Sequence, residues 1–231
     1  MDLRHAAIAV VIPALNEAAS ITRVIDALPL PAASVIVADN GSTDATAALA
    51  AAAGARVVRE PQRGYGAACL AALAVAGDAR IIVFLDADFS ERPEQLVELV
   101  APILDNRADF VLGRRVGHGR PWHALAGTWL CVTAINRLWG TGYRDLGPFR
   151  AIRKDALDRL QMQDRTWGWT IEMQVKAAEA GLLTLELPVT TRPRIGQSKI
   201  SGTVRGTVRA ATKMLATIAR LGLTRGQRRF T

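Results

Sequence analysis

Two aspartates, Asp86 and Asp88, are the residues of this 231-residue chain whose types and spacing are best suited to chemistry. They follow an apolar run at residues 81–85, which is too short for a helix and predicts a strand buried on both faces. Alternate residues of an extended segment point the same way, so we expect the two carboxylates to face one ligand. A hard divalent cation is held by such carboxylates together with water and substrate phosphates. The alternative is a turn whose aspartates cap the following helix.

The segments around these aspartates alternate between short apolar runs and helical patterns. Strands are predicted at residues 7–12, 34–38, 56–59 and 81–85, and helices are predicted between them and at 93–104. Asn16 is expected to cap the first helix, and Ser42 or Thr43 the second. This alternation predicts an α/β fold, a mostly parallel sheet with helices on both faces.

Four loops fall at the carboxyl ends of the predicted strands, which is where such sheets bind ligands. They comprise residues 13–17, 39–44, 63–66 and 86–90. Three of them carry an Asp or Glu suited to a ribose, a base or a metal. The other one supplies Arg63 and Gly64 just before a helix predicted at 67–76, a suitable place for phosphate. Each loop alone is a weak signal, but their shared position makes the combination specific.

Three of these loops carry a family resemblance over about residues 6–200. The sequences Pro13-Ala14-Leu15-Asn16-Glu17, Asp39-Asn40-Gly41-Ser42-Thr43-Asp44 and Asp86-Ala87-Asp88 resemble the family-2 glycosyltransferases of the GT-A fold, a Rossmann-like architecture. Within that family the chain is most similar to dolichol-phosphate mannose synthases and bacterial polyprenyl-phosphate enzymes.

The resemblance implies an inverting glycosyltransferase that uses a nucleotide diphosphate sugar, a UDP- or GDP-sugar. Asp86 and Asp88 would hold Mg²⁺ or Mn²⁺ and the ribose, with Asp88 the preferred direct metal ligand and a catalytic residue. The residues that would line the base and ribose are Pro13, Ala14, Asn16, Glu17 and Asp39.

The second half of the chain suggests how phosphates would be held. The resemblance places one of two adjacent arginines after a strand, for which we choose Arg114, near the donor or acceptor phosphates. The alternative is a pair of solvated arginines at a sheet edge. Arg194, Ser198 and Lys199, with a permissive glycine between them, match a segment of the polyprenyl-phosphate enzymes and suit a phosphate. The alternative is a basic loop without a ligand.

The acceptor decides whether a general base is needed. A lipid phosphate is already a nucleophile, and Arg194 and Lys199 would position it. A hydroxyl acceptor, on a small molecule or a glycan, needs a base, for which Glu172 and Asp145 are the candidates. Glu172 also suits a purely structural role as an acid in the first turn of a helix. Thr133 replaces an arginine of many lipid-phosphate enzymes, which weakens the case for a lipid acceptor. Residues 145–150 resemble a family segment that usually ends Gly-Phe-Arg, and Pro148 replaces its glycine, so we expect the acceptor-side loop to differ in shape.

The charge of the chain is unevenly distributed. The net charge is +8, and residues 191–231 contain ten Lys or Arg and no Asp or Glu. We therefore divide the chain into a GT-A domain, residues 1–195, and a basic loop, helix and tail, residues 196–231. The pattern at 203–221 predicts a basic amphipathic helix that lies on an anionic membrane surface or packs on the domain with its basic face in water.

The remaining features indicate a cytoplasmic protein, with peripheral contact to the cytoplasmic membrane face through that helix. Cys69 and Cys131 lack metal-ligand spacing and are expected to be reduced core thiols. No signal peptide or transmembrane run is recognised.

Three rival functions are retained. A nucleotidyltransferase is disfavoured because the first loop is not a basic glycine-rich one. A nucleic-acid-binding protein is suggested by the basic tail, but the tail lacks interleaved aromatic residues, so no nucleic acid is expected as a partner. A member that binds nucleotide sugars without turnover is the third.

Overall fold

One seven-stranded sheet forms the centre of the computed structural model, which describes residues 6–117, 121–196 and 204–228. The strand order is β3-β2-β1-β4-β6-β5-β7, and β6 alone runs antiparallel to its neighbours. The strands are β1 Ile8–Ala14, β2 Val35–Asp39, β3 Arg56–Arg59, β4 Ile81–Phe84, β5 Phe110–Val116, β6 Arg150–Arg153 and β7 Thr184–Thr190. The predicted mostly parallel sheet is confirmed.

Helices cover both faces of the sheet, as predicted. One hydrophobic core packs under α1, α2 and α4, and the other under α3, α5, α6, α7 and α8. The helices are α1 Ile21–Asp26, α2 Thr46–Ala52, α3 Tyr65–Leu73, α4 Leu96–Leu104, α5 Trp122–Trp139, α6 Lys154–Leu160, α7 Trp169–Glu179 and α8 Val204–Arg228. A 3₁₀ turn, Pro93–Gln95, precedes α4, and another, Ala32–Ser34, precedes β2. Cys69 and Cys131 are free and buried, in agreement with the sequence.

The predicted helix caps at the first two loops are wrong. α1 begins four residues later than Asn16 allows, with Ser20 at its N-cap position. The second helix begins at Thr46, whose N–H donates to Asp44 Oδ1 at 3.0 Å. The polar side chains of the two loops instead bond to each other, a long-range contact that local capping rules do not anticipate.

The sheet order brings the predicted loops to one edge. β1 lies between β2 and β4 and is parallel to both, so all three strands end at the same side. β6 reverses direction between β4 and β5, so β5 also ends there. The residues that follow these strands are therefore close together although they are far apart in sequence.

The C-terminal helix α8 packs on the domain against α5 and α7. Ile218 and Leu221 are buried in the second core, whereas Lys213 and Arg220 are exposed. This part of α8 packs on the domain through its apolar side and leaves its basic residues exposed, and contact of that face with a membrane stays a prediction. The division at residue 195 stays a prediction. Within the described residues, no helix is long and apolar enough to cross a membrane.

Candidate active site

The first two loops are joined by hydrogen bonds that position the predicted nucleotide-binding residues. The N–H of Asn16 donates to Ser42 Oγ at 2.9 Å, and Asn16 Oδ1 accepts the Thr43 N–H at 2.7 Å. Asn16 adopts a left-handed conformation, with φ 51°, which an asparagine tolerates better than most residues. Glu17 and Asp39 are both buried nearby. The structure therefore brings Asn16, Glu17 and Asp39 to one place, and their roles toward base and ribose stay predictions.

The Arg63–Gly64 loop is held close to these residues. Gly64 N–H donates to Asn40 Oδ1 at 2.8 Å, and a Cβ on Gly41 would lie 3.4 Å from Arg63 Nε. Gly64 has φ 150°, and a Cβ there would overlap the backbone of Arg165, so only glycine fits. The loop thus rests on a second loop, residues 164–166, which sequence reasoning did not connect with the site.

Asp86, Asp88 and Glu91 form a group of carboxylates at the end of β4. Burial, followed by the charge of Asp88, raises the pKa of Asp86 to about 7. Burial, followed by the charge of Asp86, raises the pKa of Glu91 to about 8. Such like charges favour a proton or a cation between them. Glu91 was not identified from the sequence, because it lies in the short segment that precedes the helix predicted at 93–104.

Asp88 is fixed by two contacts. Its Oδ1 accepts the Ser90 N–H at 2.8 Å, and its Oδ2 lies 3.1 Å from Arg194 Nη2. The same Nη2 is 3.4 Å from Glu17 Oε1, so Arg194 bridges the first and third motifs of the sequence. Arg194 Nε is buried and has no acceptor among the described residues. Ser198 and Lys199, predicted partners of Arg194, lie outside the described residues.

The donors present fit a divalent cation that a ligand helps to hold. Asp86 and Asp88 supply the hard oxygen atoms that Mg²⁺ and Mn²⁺ bind. Within the described part of the chain, no group of three or more His, Cys, Asp or Glu side chains is arranged to hold a metal. A metal at Asp86 and Asp88 would therefore be completed by water and phosphate oxygens.

Of the two adjacent arginines, Arg115 affects this carboxylate group electrostatically. Its charge lowers the pKa of both Asp86 and Glu91. Neighbouring residues of a strand point to opposite faces. The charge of Arg114 instead acts on Glu186. The phosphate role predicted for Arg114 stays a prediction.

Asp145 is fully engaged by Arg115. Arg115 Nε and Nη2 donate to its two carboxylate oxygens at 2.8 Å each, and the Arg115 and Leu146 N–H groups add bonds of 2.9 and 2.8 Å. Asp145 is also buried. A carboxylate that accepts four bonds is stabilised in its ionised form and is poorly placed to take a proton. This geometry favours a positioning role over the predicted role as a base.

Glu172, on α7, also accepts bonds from several donors, and these come from residues 163–164 and from Lys176. Its carboxylate accepts the N–H groups of Gln163 at 3.1 Å and Asp164 at 2.7 Å, and Lys176 Nζ lies 2.8 Å from Oε1. It is 1% exposed. Glu172 therefore fixes the start of the loop on which Gly64 rests, which favours a structural role over proton transfer.

Tyr65, the first residue of α3, also contacts the carboxylate group and was missed. Its hydroxyl lowers the pKa of Asp86, and burial, followed by the Asp86 charge, raises the pKa of Tyr65 well above the usual value. Arg150 is fully buried nearby, where its Nε donates to the Gly147 carbonyl at 3.1 Å. Arg150 therefore holds the loop that ends at Gly147.

A mostly parallel sheet with acidic side chains and a phosphate-suited loop at its carboxyl edge defines a glycosyltransferase of the GT-A fold. Residues 9–161 match the family described as glycosyl transferase family 2. The chain belongs to that family, and it is an enzyme of the glycosyltransferase class.

Curated relatives extend the match beyond that region. An uncharacterized glycosyltransferase of Mycobacterium tuberculosis is 41% identical over 206 residues, which cover 87% of this chain and 93% of the relative. The polyprenol monophosphomannose synthase of Mycolicibacterium smegmatis is 30% identical over 84% of this chain and 80% of its own. The undecaprenyl-phosphate mannosyltransferase of Micrococcus luteus is 29% identical over 85% and 88%.

Solved structures show the same fold. A glucosyl-3-phosphoglycerate synthase from Mycobacterium tuberculosis, in complex with Mn²⁺, UDP-glucose and phosphoglyceric acid, superposes with a TM-score of 0.73. It is 26% identical, and the match covers 93% of this chain and 79% of that one.

Proposed function

We propose that this protein transfers a sugar from a UDP- or GDP-sugar to a polyprenyl phosphate, with Mg²⁺ or Mn²⁺ at Asp86 and Asp88 and with inversion at the anomeric carbon. The observation that carries the proposal is the position of Arg194. It joins Asp88 to Glu17, and its side chain is still 29% exposed, so that a phosphate-binding group lies against the acids suited to the donor.

On the donor side, Asn16, Glu17 and Asp39 would bind the base and ribose, and Asp86 and Asp88 would hold the metal. The metal, when bound, would neutralise the diphosphate and stabilise it as a leaving group. The sugar would then be attacked from the side opposite to the diphosphate.

On the acceptor side, the geometry supports a phosphate better than a hydroxyl group. A hydroxyl acceptor needs a base, and the two carboxylates predicted for that role, Glu172 and Asp145, are occupied by buried donors. A phosphate acceptor needs none, only a cation that orients it. Arg194, with Lys199 from the adjoining segment, would provide this.

A lipid-linked acceptor is supported by an exposed apolar stripe on α5. Trp122 and Trp129 are 77% and 68% exposed and lie two turns apart, with Leu125 between them. Tryptophan suits the boundary between lipid and water. The basic helix α8 packs beside α5, and its charge would favour an anionic membrane. We therefore place the enzyme at the cytoplasmic membrane face, in peripheral contact through α5 and α8.

A second candidate acceptor is a soluble molecule that carries a phosphate. The solved structures with this fold include complexes with phosphoglyceric acid and with glycerol 3-phosphate. Thr133 and Pro148, which depart from the lipid-phosphate enzymes, favour it. Arg194 would hold the phosphate of either acceptor, so an experiment must distinguish them.

The test begins with the donor. Thermal unfolding with Mn²⁺ and each of several UDP- and GDP-sugars identifies the donor, because a ligand that binds the folded state raises the Tm. Transfer of the radiolabelled sugar is then measured to a short-chain polyprenyl phosphate, to phosphoglycerate and to water.

Transfer to the polyprenyl phosphate supports the proposal, and transfer to phosphoglycerate alone supports the second candidate. Asp88→Ala should abolish transfer while the protein stays folded. Asp26→Ala, an exposed acid on α1, is the control and should be fully active. Full activity of Asp88→Ala would refute the proposed metal site.

A further inference from the structure

Phe89, the residue directly after Asp88, has an unusual backbone conformation. Its φ is 60°, in the left-handed region that bulky residues rarely adopt. Such strain persists only where the surroundings hold the residue in place. Ser90, on the other side of Phe89, donates its N–H to Asp88 Oδ1 at 2.8 Å, so the conformation of Phe89 determines how the Asp88 carboxylate is held.

Arg192 makes the contacts that hold Phe89. Its Nε donates to the Phe89 carbonyl at 2.7 Å, and its Nη2 donates to the Glu91 carbonyl at 3.2 Å. The same guanidinium stacks on the Phe89 ring, 3.2 Å from the ring centroid. A planar guanidinium can do both at once, whereas a lysine ammonium cannot.

The backbone around Arg192 makes two further bonds to the same turn. Arg192 N–H donates to the Ser90 carbonyl at 2.9 Å, and Ile195 N–H donates to the Asp88 carbonyl at 2.9 Å. The turn is thus held on both sides of Phe89. The segment that holds it is also the one that carries Arg194.

We propose that Arg192 is a positioning residue, which holds Phe89 in its left-handed conformation and thereby aims the Asp88 carboxylate at the metal and diphosphate. It also ties the turn at Asp88 to the segment that carries Arg194. This inference rests on the proposed function in one respect, the divalent metal at Asp86 and Asp88. It does not depend on the identity of the acceptor.

The first test measures Mn²⁺ binding in the presence of UDP or GDP by electron paramagnetic resonance of the free ion. Arg192→Ala should weaken the apparent Mn²⁺ affinity about tenfold, the effect of releasing one strained residue. Arg192→Lys should weaken the apparent Mn²⁺ affinity almost as much. This variant replaces Arg192→Ala in the test if the alanine variant does not fold. Arg23→Ala is the matched control: Arg23 is exposed and lies 4.8 Å from the Phe89 ring centroid. It should change the affinity less than twofold.

The second test separates positioning from direct contact with the ligand. Glycine adopts a positive φ without strain, so Phe89→Gly should need Arg192 less. The loss caused by Arg192→Ala should shrink to about threefold or less in the Phe89→Gly background. An equal loss in both backgrounds would mean that Arg192 acts on the ligand itself, and it would overturn the proposal.

The third test uses the metal-free protein. Amide hydrogen exchange at Ser90 and Ile195 should accelerate in Arg192→Lys and stay unchanged in Arg23→Ala. Unchanged exchange together with unchanged Mn²⁺ affinity would also overturn the proposal. Failure of the proposed function has a different signature, namely Mn²⁺ binding that survives Asp88→Ala.

Discussion

Replacement of Glu172 by glutamine distinguishes a structural carboxylate from a catalytic base. Three backbone and side-chain donors, from Gln163, Asp164 and Lys176, converge on this buried carboxylate. The side-chain amide of glutamine would replace one acceptor oxygen by a donor NH₂. The remaining oxygen can accept both backbone N–H groups, but the buried NH₂ would then face Lys176 Nζ, which is itself a donor.

The expected cost follows from those contacts. One unsatisfied buried donor costs about 1–3 kcal/mol, and loss of the pair with the partly exposed Lys176 adds at most about 1 kcal/mol. We therefore expect Glu172→Gln to lower the free energy of unfolding by about 2–3 kcal/mol. For a domain of this size that lowers the Tm by about 5–10 °C.

The effect on turnover should be small, because Glu172 only supports the loop beneath Gly64. At a temperature well below both Tm values, kcat should fall less than about tenfold and the KM for the nucleotide sugar should rise. Removal of a general base would cost about 10²–10⁴ in rate. Sugar transfer and thermal unfolding are measured on the same preparations, with the exposed Glu179→Gln of the same helix as control. A thousandfold loss of kcat at an unchanged Tm would refute the structural role.

Three further predictions concern the same region. Asp145→Asn should lower the Tm by several degrees and reduce transfer only moderately, because it breaks the bidentate pair with Arg115; a loss of several orders of magnitude in kcat without a change in Tm would instead identify a base. The metal-free protein should become less stable as the pH rises from about 4 to 8, because folded Asp86 and Glu91, with pKa values of about 7 and 8, keep protons that the unfolded chain releases. Thermal unfolding across this pH range tests the prediction, and the Tm of Glu91→Gln should depend less on pH. Gly66→Ala should lower both the Tm and nucleotide affinity, because a Cβ there would overlap the Asp164 carbonyl; unchanged binding in a thermal-shift titration would contradict this.

The sequence predicts the sheet and its active edge because both depend on local patterns and on general rules of strand connection. Apolar runs that alternate with helical patterns identify β1, β2 and β4, and their parallel arrangement brings Asp39 and Asp86 to one side. The reversed strand β6 does not alter that edge. The position of the candidate site at this edge of the sheet could therefore be predicted from the sequence.

The partners of individual side chains could not be predicted, because they are set by contacts between distant residues. Asn16 bonds to Thr43 rather than capping the next helix, and that partner is 27 positions away. The choice between Arg114 and Arg115 depends on Asp145, 30 positions away. Alternation along a strand separates the two arginines but does not say which one faces the acids. Glu172 likewise depends on a loop whose folding no local pattern describes.

The balance of charge at the end of β4 bears on the first question that the sequence raised, whether Asp86 and Asp88 cap a helix. The turn Pro93–Gln95 has no side-chain cap, so neither aspartate serves that purpose, although Asp88 does accept the Ser90 N–H. Arg194 is shared between Asp88 and Glu17, and Arg115 is already paired with Asp145. Asp86 and Glu91 therefore lack a dedicated cation among the described residues, and their raised pKa values reflect this. A protein that buries acids in this way needs protons or a cation to balance them, and the proposed divalent metal, bound together with a diphosphate, would provide that balance.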